Sequence, residues 1–295
     1  MWPRLKAWLF HLLPHHALSR MVYRLSRWRG PWVPAMIAWF VRHYEVDLTE
    51  AEHAERHAYP TFNAFFVRGL RPGARPIEGD EDTLVSPADG RINQLGALEA
   101  GRLLQAKGHT YSAHALLGGD RELGRVFTRG AYCTVYLSPR DYHRVHMPCS
   151  GRLRRMMHVP GRLYTVAPFA TRHIPGLFTR NERVVCLFDT AHGPLAVVLV
   201  GAINVAAIDT VWAGPVTPAP RGGIRRWDYG DRGPELVRGA EMGRFNLGST
   251  VVVLLAEPVQ WAEGLGPEVQ VRMGQALGRC KAQARSQAKG RTSAS

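Results

Sequence analysis

The sequence predicts an α+β fold with helices at its N-terminal end and a mainly antiparallel β core, built as a barrel or a double sandwich. Short β-branched runs bounded by Gly, Pro and Asp recur from about residue 83 onward, a pattern typical of antiparallel sheets. The first 44 residues instead place apolar side chains at helical spacing, interrupted by prolines. The chain has 295 residues, 45% hydrophobic and 21% charged, so it can bury the core of a globular protein.

Composition divides the chain into three regions. Residues 1–70 are predicted to be helical, residues 71–277 to be β-rich, and residues 278–295 to be a basic disordered tail. Four short runs of the β-rich region are predicted to be strands: residues 132–137, 184–189, 195–200 and 250–255. Residues 215–234 are rich in Gly, Pro and Arg, and we expect them to form a mobile loop.

The helical region is predicted to lie on a membrane surface. Five of the eight tryptophans occur here among basic side chains: Trp2, Trp8, Trp28, Trp32 and Trp39. Tryptophan favours the headgroup boundary, and each cationic side chain gains about 1 kcal/mol near an anionic leaflet. We therefore expect residues 1–70 to dock reversibly on an anionic membrane surface. The alternative is a helical cap that packs on the core of the protein itself, with its arginines facing water.

The formal net charge of +14 is concentrated at the two ends of the chain. Residues 1–44 hold seven Lys/Arg and no acid, and residues 278–295 hold five and no acid, which leaves +2 for the middle. This distribution favours membrane contact over nucleic-acid binding. The longest uncharged apolar stretch, residues 31–41, is far shorter than the ~20 residues of a spanning helix, and we expect no signal peptide. The four cysteines lack paired or metal-type spacing, so we expect free thiols and no metal.

A serine directly follows a glycine at the start of the predicted strand 250–255. The glycine of the pair Gly248-Ser249 leaves its carbonyl sterically open and permits backbone angles that other residues resist. A hydroxyl held against that carbonyl can attack its own backbone and convert the peptide bond into an ester. On its own, however, Gly-Ser-Thr is also typical of an ordinary turn.

A serine needs a base to remove its proton, and the base needs an orienting group. His143 and His146 are the best candidate bases, and Asp89 is the natural orienting carboxylate. In a strand, a spacing of three places the two histidines on opposite faces, so we expect a turn over residues 139–148 that brings both inward. Each feature has an ordinary alternative: the histidine pair as a surface or zinc-like coincidence, and the aspartate as a turn residue.

Taken together, these motifs resemble phosphatidylserine decarboxylase, the pyruvoyl-dependent, membrane-associated enzyme of bacteria. The resemblance rests on Ser-Pro-Ala-Asp-Gly at residues 86–90, on Asp-Tyr-His-Arg-Val-His-Met-Pro at residues 141–148, and on Phe-Asn-Leu-Gly-Ser-Thr at residues 245–250. It extends in one order over roughly residues 60 to 256, through further matching segments at 61–68, 107–112, 160–166, 178–183, 211–214 and 239–245.

The resemblance implies that Asp89, His146 and Ser249 form a triad for self-cleavage between residues 248 and 249. The serine oxygen attacks the Gly248 carbonyl, and loss of the proton at Cα of Ser249 then eliminates the ester and leaves a dehydroalanine. Hydrolysis releases ammonia and leaves a covalent pyruvoyl group on an α chain of residues 249–295, beside a β chain of residues 1–248.

The implied activity is that of a carboxy-lyase. The pyruvoyl ketone forms a Schiff base with the amine of phosphatidylserine and accepts the electron pair left by CO2, and phosphatidylethanolamine is released. We expect His143 to handle the substrate carboxylate or the proton returned to carbon, and residues 71–277 to be the catalytic domain. The resemblance also suggests a homodimer, peripheral on the cytoplasmic face of the bacterial inner membrane, with no metal, no external cofactor and no nucleic acid.

Three other functions remain open on the residues alone. A serine hydrolase would use the same three residue types, although Ser249 lies outside a Gly-x-Ser-x-Gly elbow. A nonreactive binding module for nucleic acid would account for the basic ends. Another pyruvoyl decarboxylase could act on a soluble amino acid, although the tryptophan-rich region favours a lipid. Glu182 and Arg183 are expected to form a structural ion pair or a solvated face, or to meet the phospholipid head.

Overall fold

A computed structural model of the protein describes residues 15–106, 108–203, 207–219 and 222–280. The predictions for Trp2, Trp8 and residues 281–295 of the tail lie outside these residues. Seven α-helices are present in the described part of the chain: α1 His15–Ser26, α2 Val33–Tyr44, α3 Phe62–Phe66, α4 Ala113–Leu116, α5 Arg121–Val126, α6 Pro168–Thr171 and α7 Leu177–Arg180.

The rest of the described chain is built mainly from strands. In order they are β1 Thr83–Val85, β2 Gly90–Ala97, β3 Arg102–Ala106, β4 His109–Ser112, β5 Ala131–Leu137, β6 Arg144–His146, β7 Gly151–Val159, β8 Arg183–Thr190, β9 Gly193–Val200, β10 Ile208–Thr210, β11 Gly214–Pro215, β12 Arg225–Asp228, β13 Glu235–Leu236, β14 Glu241–Phe245, β15 Ser249–Leu255, β16 Val259–Trp261, β17 Gln270–Val271 and β18 Ala276–Cys280. The four strands predicted from apolar runs are confirmed as β5, β8, β9 and β15. The last strand ends at Cys280, three residues beyond the end of the predicted β-rich region.

The largest sheet has nine strands, in the order β12-β7-β8-β9-β15-β5-β2-β17, with β13 also paired to β7. Every pairing between these strands is antiparallel, which confirms the predicted fold class. Strand β15 lies in its centre: residues 249–255 pair with β5 on one side, and residues 250–255 pair with β9 on the other. All seven residues of β15 are buried, so apolar side chains can occupy both faces of the strand without alternating with polar ones. Ser249, the first residue of β15, is therefore held by paired and buried surroundings.

The expectation of a mobile loop over residues 215–234 is wrong for part of that segment. Residues 225–228 form β12, which pairs with residues 155–158 of β7. The strand alternates between half-buried and exposed residues, and Trp227 packs against the main core. One apolar side chain on the inner face stabilises this edge strand, and the surrounding Gly, Pro and Arg obscured it in the sequence.

The N-terminal helices bury apolar side chains in a cluster separate from the β core and expose aromatic side chains to solvent. Eight buried residues form what we call the aromatic cluster: Val33, Ile37, Phe40, Val46, Tyr59, Phe62, Phe65 and Phe66. Trp28, Trp32 and Trp39 are 63%, 42% and 51% exposed. The helices therefore bury one apolar face, as a cap would, while the three exposed tryptophans leave docking on a membrane surface a prediction. Among the helices of the described residues, none has the length and apolar character required to cross a membrane.

Candidate active site

Ser249 is the first residue of β15 and is completely buried. Its Oγ atom has no hydrogen-bond partner within the described residues, which is unusual for a buried hydroxyl. Within the described residues, a Cβ atom built on the preceding Gly248 would meet nothing within 4 Å, and the φ angle of Gly248 is not positive. The glycine thus supplies an open flank beside the carbonyl, while the special backbone angles expected of it are not used in this conformation.

His146 is the last residue of β6, which pairs with β14. Its backbone N–H donates to Pro87 O at 2.8 Å, which places it beside the turn that carries Asp89. The ring Nδ1–H faces Gly239 O at 2.8 Å, so Nε2 carries the lone pair and accepts from the Tyr142 hydroxyl at 3.0 Å. Burial lowers the pKa of His146, partly offset by the hydrogen bond to Gly239 and by nearby carboxylates that include Asp89. The ring is therefore a neutral base at neutral pH.

Asp89 is buried and fully occupied by partners that the sequence did not indicate. The guanidinium of Arg75 donates to it from Nε at 2.9 Å and from Nη2 at 2.5 Å, and the Met273 N–H donates at 2.8 Å. Arg75 also pairs with Glu50 at 2.8 Å. Asp89, Arg75 and Tyr142 border a cavity of about 260 Å³. The carboxylate acts on His146 through its charge, but it is hydrogen-bonded to neither nitrogen of that ring.

His143 is completely buried just before β6, and its ring lies 4.2 Å from the ring of Phe66. Nδ1–H donates to Asp141 O at 2.8 Å, so the lone pair is on Nε2, which has no partner in the described part of the chain. Burial lowers the pKa of His143 to about 3, with a further contribution from the charge of Arg68. The expectation that both histidines point inward is confirmed, although the turn covers only part of residues 139–148 and β6 completes it.

The structure brings these predicted residues to one end of the sheet without joining them in a hydrogen-bonded chain. Phe245 N–H donates to His143 O at 3.0 Å, so the segment leading to Ser249 runs beside His143. Asp89 and His146 are neighbours through Pro87. The Ser249 hydroxyl, however, is bonded to neither histidine in this conformation.

Sequence reasoning missed Arg75 and the role of Tyr142. Tyr142 lies four residues before His146 within the recognised motif, so that spacing was an available signal, whereas nothing in the Gly/Pro-rich segment 69–76 marks Arg75. Within the described residues, no group of three or more His, Cys, Asp or Glu side chains could hold a metal ion, so neither histidine belongs to such a group.

Glu182 and Arg183 are both buried and do not pair with each other. Glu182 contacts His158 Nε2 at 2.8 Å. The guanidinium of Arg183 donates to four backbone carbonyls, those of Leu116, Thr179, Asn181 and Ala115. The expected mutual ion pair and the solvated face are therefore both wrong for these residues, which instead tie the start of β8 to its surroundings.

Comparison with known proteins agrees with this arrangement. The family model described as phosphatidylserine decarboxylase matches residues 62–279, and a second model, described as PSD, matches residues 5–45. A protein of Stutzerimonas stutzeri named phosphatidylserine decarboxylase proenzyme is 55% identical over 273 residues, which cover 91% of this chain and 92% of that protein. Proteins of the same name from Azotobacter vinelandii and Photobacterium profundum are 55% and 50% identical, and cover 91% and 93% of this chain and 95% and 96% of their own lengths. The chain therefore belongs to the phosphatidylserine decarboxylase family.

Proposed function

We propose that this chain is a proenzyme that cuts itself between Gly248 and Ser249 and then converts phosphatidylserine to phosphatidylethanolamine and CO2. The observation that carries the proposal is a buried serine hydroxyl at the start of a central strand, which among the described residues has no hydrogen-bond partner and follows an unobstructed glycine. Relatives named as proenzymes of this decarboxylase, with about half of their residues identical, support the same activity.

In the proposed cleavage, Ser249 Oγ attacks the carbonyl carbon of Gly248 while His146 accepts the hydroxyl proton. The new C–O bond forms as the C–N bond breaks, and the proton passes to the departing nitrogen, which leaves an ester. The negative charge of Asp89 raises the pKa of His146, which favours the imidazolium formed in this step. Tyr142 now donates to His146 Nε2, so its hydroxyl must either turn away or relay the proton.

The surroundings of position 249 fit a pyruvoyl group derived from the serine. The position is buried, and in the part of the chain that the structure describes its hydroxyl has no hydrogen-bond partner and the neighbouring glycine leaves space on one side. When formed there, the group would supply an electron sink for the electron pair left by departing CO2. His143 keeps a neutral ring in the same buried region, with an Nε2 lone pair that no described residue contacts through a hydrogen bond, and we assign it to the substrate carboxylate or to the proton returned to carbon.

The remaining parts of the proposal concern location and assembly. The exposed tryptophans support docking on an anionic membrane surface, which we place at the cytoplasmic face of the bacterial inner membrane. The β chain of residues 1–248 and the α chain of residues 249–295 would stay together because β15 pairs with β5 and β9. A homodimer is proposed from the family resemblance.

Intact mass of the purified protein, measured beside Ser249→Ala, tests the cleavage. We expect two chains in the wild type, the smaller beginning with a keto group, and one uncut chain in the variant. Thr250→Val is the matched control, because it removes a neighbouring buried hydroxyl from the same strand and is expected to cut normally. A folded wild type that stays uncut would reject the proposal and favour an inactive binding module.

Two further measurements test the separate roles of His143 and His146 and identify the substrate. We expect His146→Ala to remain uncut, and His143→Ala to cut but to lose turnover of phosphatidylserine; the reverse pattern would reject this division. Release of CO2 from phosphatidylserine but not from free serine would distinguish the lipid enzyme from a pyruvoyl decarboxylase of soluble amino acids.

A further inference from the structure

A side chain of the N-terminal helical region reaches the segment that is proposed to be cut. Arg27 follows directly after α1, and its Nη2 donates to Asn246 Oδ1 at 2.8 Å across 219 positions of sequence. Asn246 lies two residues before Gly248 and is only 1% exposed. The contact is therefore a partly buried link between the surface helices and the scissile segment, which we define as residues 246–249.

Asn246 is held at three of its polar atoms. Its backbone N–H donates to Ala207 O at 2.9 Å, and its Nδ2 donates to the same oxygen at 3.1 Å. Arg27 supplies the hydrogen bond that the structure gives to Oδ1. Because the amide nitrogen is directed to Ala207, the side chain cannot turn over to replace a lost Arg27 donor without losing that bond.

Arg27 is itself fixed before it reaches Asn246. Its guanidinium lies over the ring of Tyr23, 3.7 Å from the ring centroid, and Nη1 donates to Tyr23 O at 3.4 Å. Burial lowers the pKa of Arg27, while Tyr23 and Asp209 act in the opposite direction. A hydrogen bond from a cation held in this way is stronger than one between neutral groups and needs little further ordering.

The scissile segment is restrained on both sides of Gly248. On the upstream side, Leu247 packs against the aromatic cluster, and Phe66 of that cluster contacts His143. On the downstream side, Ser249 begins the ladder of β15 with β5. Gly248 itself has open space around its Cα. Its carbonyl is thus held between two fixed ends, which is the condition under which an intramolecular attack becomes fast.

We propose that Arg27 is a positioning residue for self-cleavage, acting through the side chain of Asn246. The inference rests on the proposed function and adds to it that the helical region takes part in processing as well as in docking. Loss of the Arg27 hydrogen bond would let residues 246–248 leave the geometry from which Ser249 attacks. We expect Arg27→Ala to slow cleavage by about ten- to a hundredfold, as for loss of one charge-assisted hydrogen bond.

The test follows cleavage in time after cell-free synthesis of the full chain without membranes, with the uncut and cut forms resolved by mass. Arg27→Lys is expected to stay within a few-fold of wild type, because an ammonium can still donate to Asn246. Asn246→Ala is expected to slow cleavage, and Arg27→Ala added to it should have no further effect, since the arginine acts through that side chain. Arg24→Ala is the matched control: it removes the same charge from an exposed position of α1 and is expected to cut at the wild-type rate.

The outcomes separate this inference from the function on which it rests. A wild-type chain that never cuts would reject the proposed function and this inference with it. A wild type that cuts, with Arg27→Ala cutting equally fast, would reject the inference alone. Independent, multiplying effects of Arg27→Ala and Asn246→Ala would also reject it, because they would indicate a general structural role. Unfolding temperatures of the same variants in the Ser249→Ala background should not follow the order of their cleavage rates.

Discussion

Replacing Arg75 by leucine is predicted to destabilise the uncut chain by about 3–5 kcal/mol, the usual effect of removing one partner from a buried ion pair. The side chains of Arg75 and Asp89 are only 8% and 10% exposed, so solvent screens their interaction little. Without the guanidinium, the carboxylate keeps only the Met273 N–H among the partners that the structure gives it. A buried charge with one hydrogen bond is the source of the predicted loss.

Asp89→Asn is predicted to have a smaller effect on the free energy of unfolding, about 1–3 kcal/mol. The amide is neutral and needs no cation, its oxygen can still accept from Met273, and Arg75 keeps Glu50 at 2.8 Å. The double variant Arg75→Leu/Asp89→Leu removes both charges and is predicted to be more stable than Arg75→Leu alone. If the two substitutions do not add in this way, their coupling measures the interaction between the two charges.

Chemical denaturation at neutral pH is the assay, with every variant made in the Ser249→Ala background. That background keeps a single uncut chain, so the transitions compare one covalent species. Arg279→Leu is the matched control, because Arg279 pairs with Asp80 at 2.9 Å on the surface, where both side chains are more than half exposed. No measurable change in stability is expected for this control.

A loss below about 1 kcal/mol in Arg75→Leu would refute the reasoning, because breaking a buried ion pair on one side is expected to cost several times that amount. Stability could be retained if Asp89, freed from Arg75, turned to His146. In that case Arg75→Leu in the chain that retains Ser249 would change the cleavage rate. The structure, in which Asp89 is bonded to Arg75 and not to His146, predicts against that result.

Two further predictions concern pH and membrane binding. Only an unprotonated ring accepts a proton, and burial lowers the pKa of His146 from its usual value of 6.5. Self-cleavage should therefore keep its rate as pH falls through 6.5 and slow only at lower pH; a rate profile with its inflection at or above 6.5 would contradict this. Replacing an exposed tryptophan by alanine should weaken sedimentation with anionic vesicles by about a hundredfold, because roughly half of a ~250 Å² side chain at ~25 cal/mol per Å² is about 3 kcal/mol. Binding that is unchanged in all three variants would rule out docking through Trp28, Trp32 and Trp39.

The sequence predicted those parts of the fold that depend on local pattern. Strands β5, β8, β9 and β15 are continuous apolar runs with clear boundaries, so burial on both faces could be read from composition. Strand β12 was missed because its sequence, Arg-Arg-Trp-Asp, carries one apolar side chain and depends on pairing with β7, far away in the chain. The pairing order of the sheet could not be obtained from any single segment.

For the site, as for the fold, the sequence indicated which residues are involved but not which side chains contact each other. The motifs indicated Asp89, His143, His146 and Ser249, and the structure places them at one end of the sheet. Their hydrogen-bond partners were not predictable, because a side chain such as Arg75 lies in a Gly/Pro-rich connection whose path to Asp89 only the folded chain defines. The Arg27–Asn246 contact is the extreme case, since neither residue type stands out and only the folded chain brings them together.

The position of the proposed cut relative to the sheets explains how one broken bond can leave the structure intact. Residues 249–280 supply β15 to the centre of the nine-stranded sheet, β17 to its edge beside β2, and β18 to the smaller sheet beside β1. Each of these strands pairs with a strand that precedes Gly248. The new chain end would therefore lie at the first residue of a strand already held by neighbours on both sides, so the group formed there would be fixed in place by backbone hydrogen bonds. Cleavage in a loop distant from a central strand would not give the reactive end this support, and this is the physical reason to expect the nucleophile at the start of β15.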